Sequence, residues 1–483
     1  GRNGLPNPDR PYFNLATLSP NQPSVSGGIT DFALAGFFGR FNYSFKNTYF
    51  FEASARYEGS SRFSQLLNKQ RQIFGAVSAG WTISNENFMK KVSFINYAKI
   101  RTSYGTSGNQ NVSGGGADPN YVFNSQISPL GFAYYPNNTI AQGSVLLNLP
   151  NESLQWETSA KTNFGLDVSM FKNKLSFTFD VYTTKLTDMI IALPMPSYIG
   201  FLTAPNYPSN ASSMINRGWE FSATYRGNLG KVKYSVTGNL SDVRNEVLDT
   251  KGLDIVQGNQ ITRAGHSIRS YQVFLTDGLY QVGDNFSKPY NATRFTGAGD
   301  IKYRDLDGND TINTRDRVLV GNNFPRYDYS LNINLEYKGF DLNVFLFGVG
   351  MRDNYISGLA VQPFNAGNWI AGGLTSALDR WTSTKTNARL PRLFSGGNGN
   401  YVSSDYWLMS GAFMRVKHIN VGYSLPKSVL SKLKIEQLRF YFNAVNPFTI
   451  SNYEPGFDPE IANQNGSFYP IMKTYTLGLN LKF

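Results

Sequence analysis

The feature that most constrains this fold is a strict alternation of apolar and polar side chains, clearest in residues 476–483. Leu477, Leu479, Leu481 and Phe483 occupy alternate positions there, and polar or small residues lie between them. Successive side chains of a strand point to opposite faces of the sheet. Soluble sheets seldom leave such a row of large apolar side chains exposed, whereas strands that face lipid do so as a rule. The segment therefore predicts a lipid-facing strand that closes a β-barrel.

The same alternation recurs along the chain in segments of about ten residues, the length that a tilted strand needs to cross a bilayer. In one of them Leu331, Ile333 and Leu335 alternate with asparagines. The pattern predicts an all-β chain whose antiparallel transmembrane β-barrel contains thirteen strands. They are expected near 32–44, 48–58, 73–84, 97–105, 156–170, 174–188, 214–227, 231–243, 327–337, 339–349, 412–425, 436–446 and 472–483.

The connections between these segments alternate in length. Short turns are expected at 45–48, 171–174, 226–231 and 337–340, with moderate ones at 85–96 and 426–435. Long polar loops are expected at 59–72, 106–155, 189–213, 244–326, 350–411 and 447–471. This is the pattern of outer-membrane barrels, in which short turns face the periplasm and long loops face outward. The first and last strands then both run toward the periplasm. Because single-chain bacterial barrels have even strand counts, an odd number of strands is expected before residue 32.

Composition agrees with a barrel and argues against other classes. The chain of 483 residues is 41% apolar and 16% charged, and it contains no apolar run long enough for a transmembrane helix. A large soluble β-sandwich or propeller array would share its aromatic and glycine content, and is the alternative fold. The net charge is +12, but the basic residues are dispersed, and several lie in short connections. That distribution favours contact with anionic lipid over nucleic-acid binding.

Signals for catalysis are weak. The chain has no cysteine, and its two histidines, His266 and His418, are far apart in sequence. Catalytic triads and zinc sites therefore have few candidate residues, and no phosphate-binding glycine loop is followed by Lys and Ser or Thr. We expect a protein that is not an enzyme and has no catalytic residues.

One acidic segment has the spacing of a calcium-binding loop. Its oxygen ligands would be the side chains at positions 1, 3, 5, 9 and 12 of the loop and the main-chain carbonyl at position 7. These residues are Asp305, Asp307, Asn309, Asn313, Asp316 and, for the carbonyl, Thr311. Asp310 stands where such loops have glycine, and Asp316 replaces the usual glutamate. The segment is therefore a candidate site for one structural Ca²⁺. The alternative is a solvated acidic turn that binds no ion.

Aromatic residues are concentrated in the predicted outward loops. Their faces could stack on sugars or on peptide side chains, which makes them candidates for contact with a ligand or a lid. The alternative is packing within the loops and an interfacial aromatic belt. The candidates are Trp369, Trp381, Tyr401, Tyr406 and Trp407.

Several motifs, in order along nearly the whole chain, resemble a known family, the SusC/RagA-type TonB-dependent transporters. They include Gly36-Phe-Phe-Gly-Arg-Phe-Asn-Tyr43, Tyr49-Phe-Phe-Glu-Ala-Ser-Ala-Arg56, Lys99-Ile-Arg-Thr-Ser-Tyr-Gly105, Asn216-Arg-Gly-Trp-Glu220, Tyr337-Lys-Gly-Phe-Asp341, Ser404-Asp-Tyr-Trp407 and Arg415-Val-Lys-His-Ile-Asn-Val-Gly-Tyr423. The resemblance implies a 22-stranded barrel with an N-terminal plug and a TonB box. Subtracting thirteen from 22 leaves nine, an odd number. Residues 1–483 are therefore expected to be the C-terminal part of the barrel, with the plug, the TonB box and the first strands outside this chain.

The resemblance also implies a function. The complete protein would import a glycan or a peptide across a Bacteroidota-type outer membrane with energy supplied by TonB. A SusD-like surface lipoprotein would form a lid over loops 244–326, 350–411 and 447–471, and lipopolysaccharide and other outer-membrane lipids would surround the barrel. The alternative is a structural subunit of a larger outer-membrane assembly or secretion complex. Gly478, Leu481 and Phe483 resemble the C-terminal signal that the barrel-assembly machinery reads.

Overall fold

The structure, a computed structural model, describes residues 31–112, 120–125, 127–134, 141–146, 149–194, 198, 206–286, 296–358, 361–362, 375–393, 399–433, 435–453, 457–461, 465, 468–469 and 471–483. Residues 1–30 and Trp369, one of the candidate aromatic residues, therefore lie outside the described residues. Within those ranges no helix is long and apolar enough to span a membrane.

Thirteen strands form one antiparallel sheet, in which each strand pairs with the next strand of the sheet along the chain. All thirteen predicted strands are confirmed. They are β1 Leu34–Phe45, β2 Tyr49–Ser60, β3 Arg71–Trp81, β4 Ile95–Asn109, β5 Glu157–Met170, β6 Leu175–Pro194, β7 Asn206–Leu229, β8 Val232–Asp249, β9 Arg326–Tyr337, β10 Phe340–Met351, β11 Phe413–Ser424, β12 Gln437–Ser451 and β13 Thr474–Lys482.

The alternation of short and long connections is also confirmed. The tight turns at residues 46–48, 171–174, 230–231 and 338–339 lie at one edge of the sheet. That edge also carries two moderate connections, with 3₁₀ helices Ile83–Asn85 and Asn87–Lys91 in one and the α-helix Lys427–Leu433 in the other. The long connections all leave from the opposite edge, which we call the outer edge.

The expected loop at 189–213 is largely wrong, because strand pairing continues through most of it. β6 has 20 residues and β7 has 24, and the two remain paired from Leu175 with Tyr225 to Pro194 with Asn206. Polar side chains such as Ser209 and Asn210 interrupt the apolar alternation, so the sequence pattern ended at the membrane boundary. Backbone pairing does not depend on that alternation, and the hairpin extends beyond it.

The two faces of the sheet differ in polarity. One face exposes a broad apolar surface that includes Phe37, Ile73, Phe221 and Leu479, which are 81%, 68%, 38% and 58% exposed. Monomeric soluble proteins rarely expose contiguous apolar patches of this extent. Leu477 of β13 and Phe483, which directly follows that strand, are 82% and 85% exposed, as the terminal alternation predicts.

Aromatic side chains concentrate near the short-turn edge. The rings of Phe45, Tyr49 and Trp81 stack in sequence with centroids 6.5 Å apart at each step. Both polar tips of this row bind one carboxylate, since Tyr49 Oη donates to Glu86 at 2.5 Å and Trp81 Nε1 donates to it at 3.1 Å. The hydrogen bond from Tyr49 is the main cause that lowers the pKa of Glu86. Amphipathic rings in such a belt are typical of a membrane interface.

The long connections at the outer edge fold into structured layers of their own. A four-stranded sheet consists of Ile255–Gln257, Gln260–Thr262, Ser270–Phe274 and Arg317–Asn322. Smaller pairs join Thr276–Leu279 to Ile301–Tyr303, Asp353–Tyr355 to Leu408–Ser410, and Ile127–Tyr134 to Ala141–Leu146. In the described parts of these connections, 3₁₀ helices accompany the strands at Thr314–Asp316, Thr375–Asp379, Gly399–Tyr401 and Asp405–Trp407.

A hydrophobic core holds the connections 250–325, 352–412 and 452–473 together, and we call their described residues the outer cap. Tyr271, Val273 and Phe274 are fully buried at its centre, and Tyr355, Trp407 and Tyr453 join them from the other two connections. The sequence predicted long polar loops here and not a common core. Burial of about a dozen apolar side chains gives the cap its own source of stability.

Candidate functional site: the polar wall and the outer cap

The polar face of the sheet carries an ion cluster that joins three strands. Arg101 of β4 donates from Nε to Asp167 of β5 at 3.0 Å and from Nη1 to Asp180 of β6 at 2.8 Å. The guanidinium reaches Asp180 by crossing Gly165, because a β-carbon there would lie 2.5 Å from Arg101 Cζ. Glycine on the middle strand therefore opens the path for a contact that spans two strand spacings.

The same arrangement recurs near the C-terminal end of the sheet. Arg439 of β12 crosses Gly422 of β11 and donates from Nε to Asp341 of β10 at 2.9 Å. A β-carbon on Gly422 would collide with the guanidinium. Both clusters fix the register of three neighbouring strands on the polar face.

A row of asparagines crosses the polar face beside the second cluster. Asn334, Asn343, Asn420 and Asn443 are direct cross-strand partners on β9 to β12. Asn343 Nδ2 donates to Asn334 Oδ1 at 2.7 Å, and His418 Nδ1 lies 2.9 Å from Asn343 Oδ1. The polar face of the sheet, which we call the polar wall, thus presents amide groups in place of apolar side chains. Such a surface suits contact with water or with polar solutes.

The last long connection folds inward onto this wall. Arg415 of β11 is only 3% exposed and donates from Nη2 to Asp458 at 2.7 Å and from Nη1 to Glu460. Lys417 also donates to Glu460. The Pro459 carbonyl accepts a hydrogen bond from Asn354 Nδ2 at 3.1 Å. We call residues 457–461 the latch segment, because Arg415 and Lys417 of the sheet and Asn354 of the cap hold it in place.

Two cavities lie within the cap, and Trp407 lines both of them. One has a volume of about 450 Å³ and is mostly apolar, with Tyr406 and Arg389 in its lining. The other has a volume of about 300 Å³, with Tyr401 and Gln362 in its lining. Both volumes are at or near the lower end of the range of small-molecule sites. An apolar surface with a few polar groups can accept an organic ligand and orient it.

The cavities bring together three of the aromatic residues that the sequence singled out. Tyr401, Tyr406 and Trp407 line them, whereas Trp381 packs elsewhere against Gly299, which has a φ of +87°. Burial raises the pKa of Tyr406 to about 12. Trp407 is 5% exposed and donates from Nε1 to the Asn400 carbonyl at 2.8 Å. For Trp381 and Trp407 the geometry favours packing within the cap, which was the stated alternative.

The acidic turn brings its three carboxylates close together. Oxygens of Asp305, Asp307 and Asp316 lie within 4.8 Å of one another, which is about twice a Ca²⁺–oxygen distance. Asp310 has a φ of +62°, the left-handed geometry expected at the usual glycine position. The three carboxylates therefore fit a single divalent ion.

Main-chain amides also stabilise the turn. Asp316 is fully buried and accepts hydrogen bonds from the amides of Leu306 and Asn313 at 2.8 Å each. The other three predicted ligand oxygens accept hydrogen bonds inside the turn: Asn309 Oδ1 from Thr311, Asn313 Oδ1 from Arg315, and the Thr311 carbonyl from Asn313. These hydrogen bonds can also stabilise the turn without an ion, as in the solvated-turn alternative. Binding of Ca²⁺ therefore stays a prediction.

Sequence reasoning missed the ion clusters, the asparagine row and the latch segment. The residues of the ion clusters and of the asparagine row occupy predicted polar positions of the strands, and that alternation was the available signal. The latch segment lies in the predicted loop 447–471, where the sequence offers no such alternation. The partners are far apart in sequence, as with Arg439 and Asp341, so their contact depends on strand register.

Comparison with known proteins identifies the class. The family profile described as TonB dependent receptor-like, beta-barrel matches residues 2–447. TonB-dependent receptor P3 of Formosa agariphila is 31% identical over an alignment of 504 residues with gaps, which covers 98% of this chain and 48% of that protein. TonB-dependent receptor SusC of Bacteroides thetaiotaomicron is 29% identical over 468 residues, which cover 93% and 44%.

Solved structures show the same fold. The structure of the RagAB peptide transporter superposes with a TM-score of 0.79 at 22% identity, covering 97% of this chain and 49% of that one. At this identity the likeness concerns the fold alone. This chain spans about half the length of the curated relatives it matches.

The chain belongs to the TonB-dependent receptor-like β-barrel family, and the SusC/RagA resemblance inferred from its motifs is confirmed. Proteins of this family lie in the outer membrane, which confirms the predicted location. The exposed apolar face of the sheet is thus the lipid-facing side, and the polar wall faces the lumen. The family consists of receptors and transporters and not of enzymes.

Proposed function

We propose that this chain forms thirteen strands of the wall and the outer cap of an active importer for glycans or peptides. The observation that carries the proposal is a lipid-facing sheet whose polar lumenal wall lies beneath a folded cap with two cavities. Such an arrangement suits a gated pore for cargo larger than porins admit. The relative named SusC and the fold of the RagAB peptide transporter support this class of function.

The partners follow from the same class. We propose that a SusD-like lipoprotein closes over the cap, and that TonB acts through parts of the complete protein outside this chain. The cap is suited to docking because its hydrophobic core orders it before a lid binds. Binding to an ordered surface costs less conformational entropy. The acidic turn, in our proposal, binds one Ca²⁺ and stiffens that surface.

The test uses the full-length protein, tagged and purified from native outer membranes. Mass spectrometry should identify a stoichiometric surface lipoprotein and a bound oligosaccharide or peptide. Cellular uptake of that ligand should stop when TonB is removed. Several envelope proteins in fixed stoichiometry, with no ligand and with uptake independent of this protein, would instead support a structural subunit.

A matched pair of variants tests the cavity. Arg389→Gln changes the lining of the larger cavity, whereas Arg304→Gln removes an exposed cap arginine that pairs with Asp277. We expect the first variant to retain less ligand and the second to behave like the wild type. Equal retention by both would argue against ligand binding in this cavity.

A further inference from the structure

A cationic row crosses the lipid-facing side of β6, β7 and β8 near the outer edge. Arg217 of β7 and Arg244 of β8 are direct cross-strand partners, so their side chains leave the same face side by side. They are 59% and 72% exposed. Lys185 of β6, also exposed, lies on the same face two residues further out, opposite Ile215.

Facing arginines are unfavourable on their own. Like charges directly opposite one another destabilise a sheet. Glu246 relieves part of the repulsion, with its Oε2 3.1 Å from Arg217 Nη1. Asp242 is bound by Arg326, whose Nε and Nη2 each donate to it at 2.6 Å, and it lies 4.0 Å from Arg244 Nε. Three arginines thus share two carboxylates, and with Lys185 the group has four positive and two negative charges, a net charge of +2.

The level of the row matches the outer boundary of the bilayer. Arg217 and Gly227 are ten residues apart on β7. At about 3.3 Å per residue and a tilt of about 40°, that separation is about 25 Å along the membrane normal, the height of the apolar band of such barrels. Just below the row, the same face exposes Val181, Phe221 and Leu240. The charged row therefore begins where the apolar surface ends.

We propose that Lys185, Arg217 and Arg244 form a binding site for the phosphate groups of lipopolysaccharide in the outer leaflet. Arginine forks bind phosphate oxygens in a bidentate manner, and an anion between the two guanidiniums removes their repulsion. The three cations span two strand spacings, about 10 Å, which suits a headgroup with more than one phosphate. The exposed apolar side chains below accept the acyl chains. The site rests on the outer-membrane location and not on the transported cargo.

The test measures lipid retained by the full-length protein after purification in mild detergent. Native mass spectrometry and phosphate analysis would count lipopolysaccharide molecules per barrel. We expect Arg217→Ala with Arg244→Ala to lower the retained lipopolysaccharide about tenfold, since each lost charge-assisted contact weakens binding. Lys172→Ala with Lys174→Ala removes the same charge at the short-turn edge, and it should leave retention unchanged. Equal losses in the two double variants would overturn the proposal.

Further arms separate the binding chemistry from misfolding and from other anions. Glu246→Gln removes the acidic partner of Arg217 and should retain at least as much lipopolysaccharide as the wild type; a tenfold loss there would contradict the site. Dephosphorylated lipopolysaccharide should bind about tenfold more weakly. Displacement of lipopolysaccharide by equimolar phosphatidylglycerol or by inorganic phosphate would refute the assignment. Heat-modifiable migration on gels shows that each variant is folded.

Discussion

The contact between Arg415 and the latch segment gives the sharpest prediction, because one buried cation holds two acidic residues. Arg415→Met keeps a side chain of similar length and removes the charge. Asp458 and Glu460, whose side chains are 14% and 18% exposed, would then lose their guanidinium partner. The hydrogen bond from Arg415 Nε to Thr449 Oγ1, 2.8 Å long, would be lost as well.

The size of the effect follows from burial. Removing one partner of a buried ion pair costs about 3–5 kcal/mol, because the remaining charge stays desolvated. Lys417 still contacts Glu460, so we expect the lower end of that range. About 3 kcal/mol corresponds to roughly a 150-fold change in the opening equilibrium of the latch segment.

Hydrogen exchange in the full-length protein measures this opening directly. Amides in residues 457–461 should exchange about two orders of magnitude faster in Arg415→Met, with little change in β12 and β13. Lys417→Met is the matched control. Lys417 is 28% exposed, and its loss should cost no more than about 1 kcal/mol, or about fivefold. Acceleration below tenfold in Arg415→Met, or equal in the two variants, would refute the reasoning.

Three further predictions concern the cap and the closing strand. Burial raises the pKa of Asp353, so its ionisation opposes folding as the pH rises above the ordinary range of aspartate; Asp353→Asn should raise the melting temperature of the cap at pH 7, and the gain should vanish below about pH 4. A gain of equal size at both pH values would contradict this. Millimolar Ca²⁺ should slow amide exchange in residues 305–316, and Asp305→Asn should abolish the slowing; an identical calcium response in the variant would exclude the ion site. Leu479→Lys places a charge on the lipid face and should destabilise the folded barrel by roughly 2–4 kcal/mol. Deletion of Phe483 should lower the amount of assembled barrel in the outer membrane. Normal membrane levels of both variants would show that β13 is misplaced.

The membrane-spanning part of the fold was readable from the sequence. A strand that separates lipid from a polar lumen must alternate apolar and polar side chains. The sequence of segments such as 327–337 and 472–483 therefore predicted both their strand conformation and which side chains face lipid. The alternating loop lengths then indicated which ends of the strands carry the short turns and which carry the long loops. These features depend on local pattern, which each segment carries by itself.

The tertiary structure alone decided which distant residues meet. Arg439 and Asp341 meet only because the register of three strands places Gly422 between them. Outside the bilayer the alternation ends, and residues such as Trp407 can face either a ligand or a core. Packing of three separate connections places Trp407 in a shared core, because apolar side chains far apart in sequence bury one another only when the whole sheet brings their loops together.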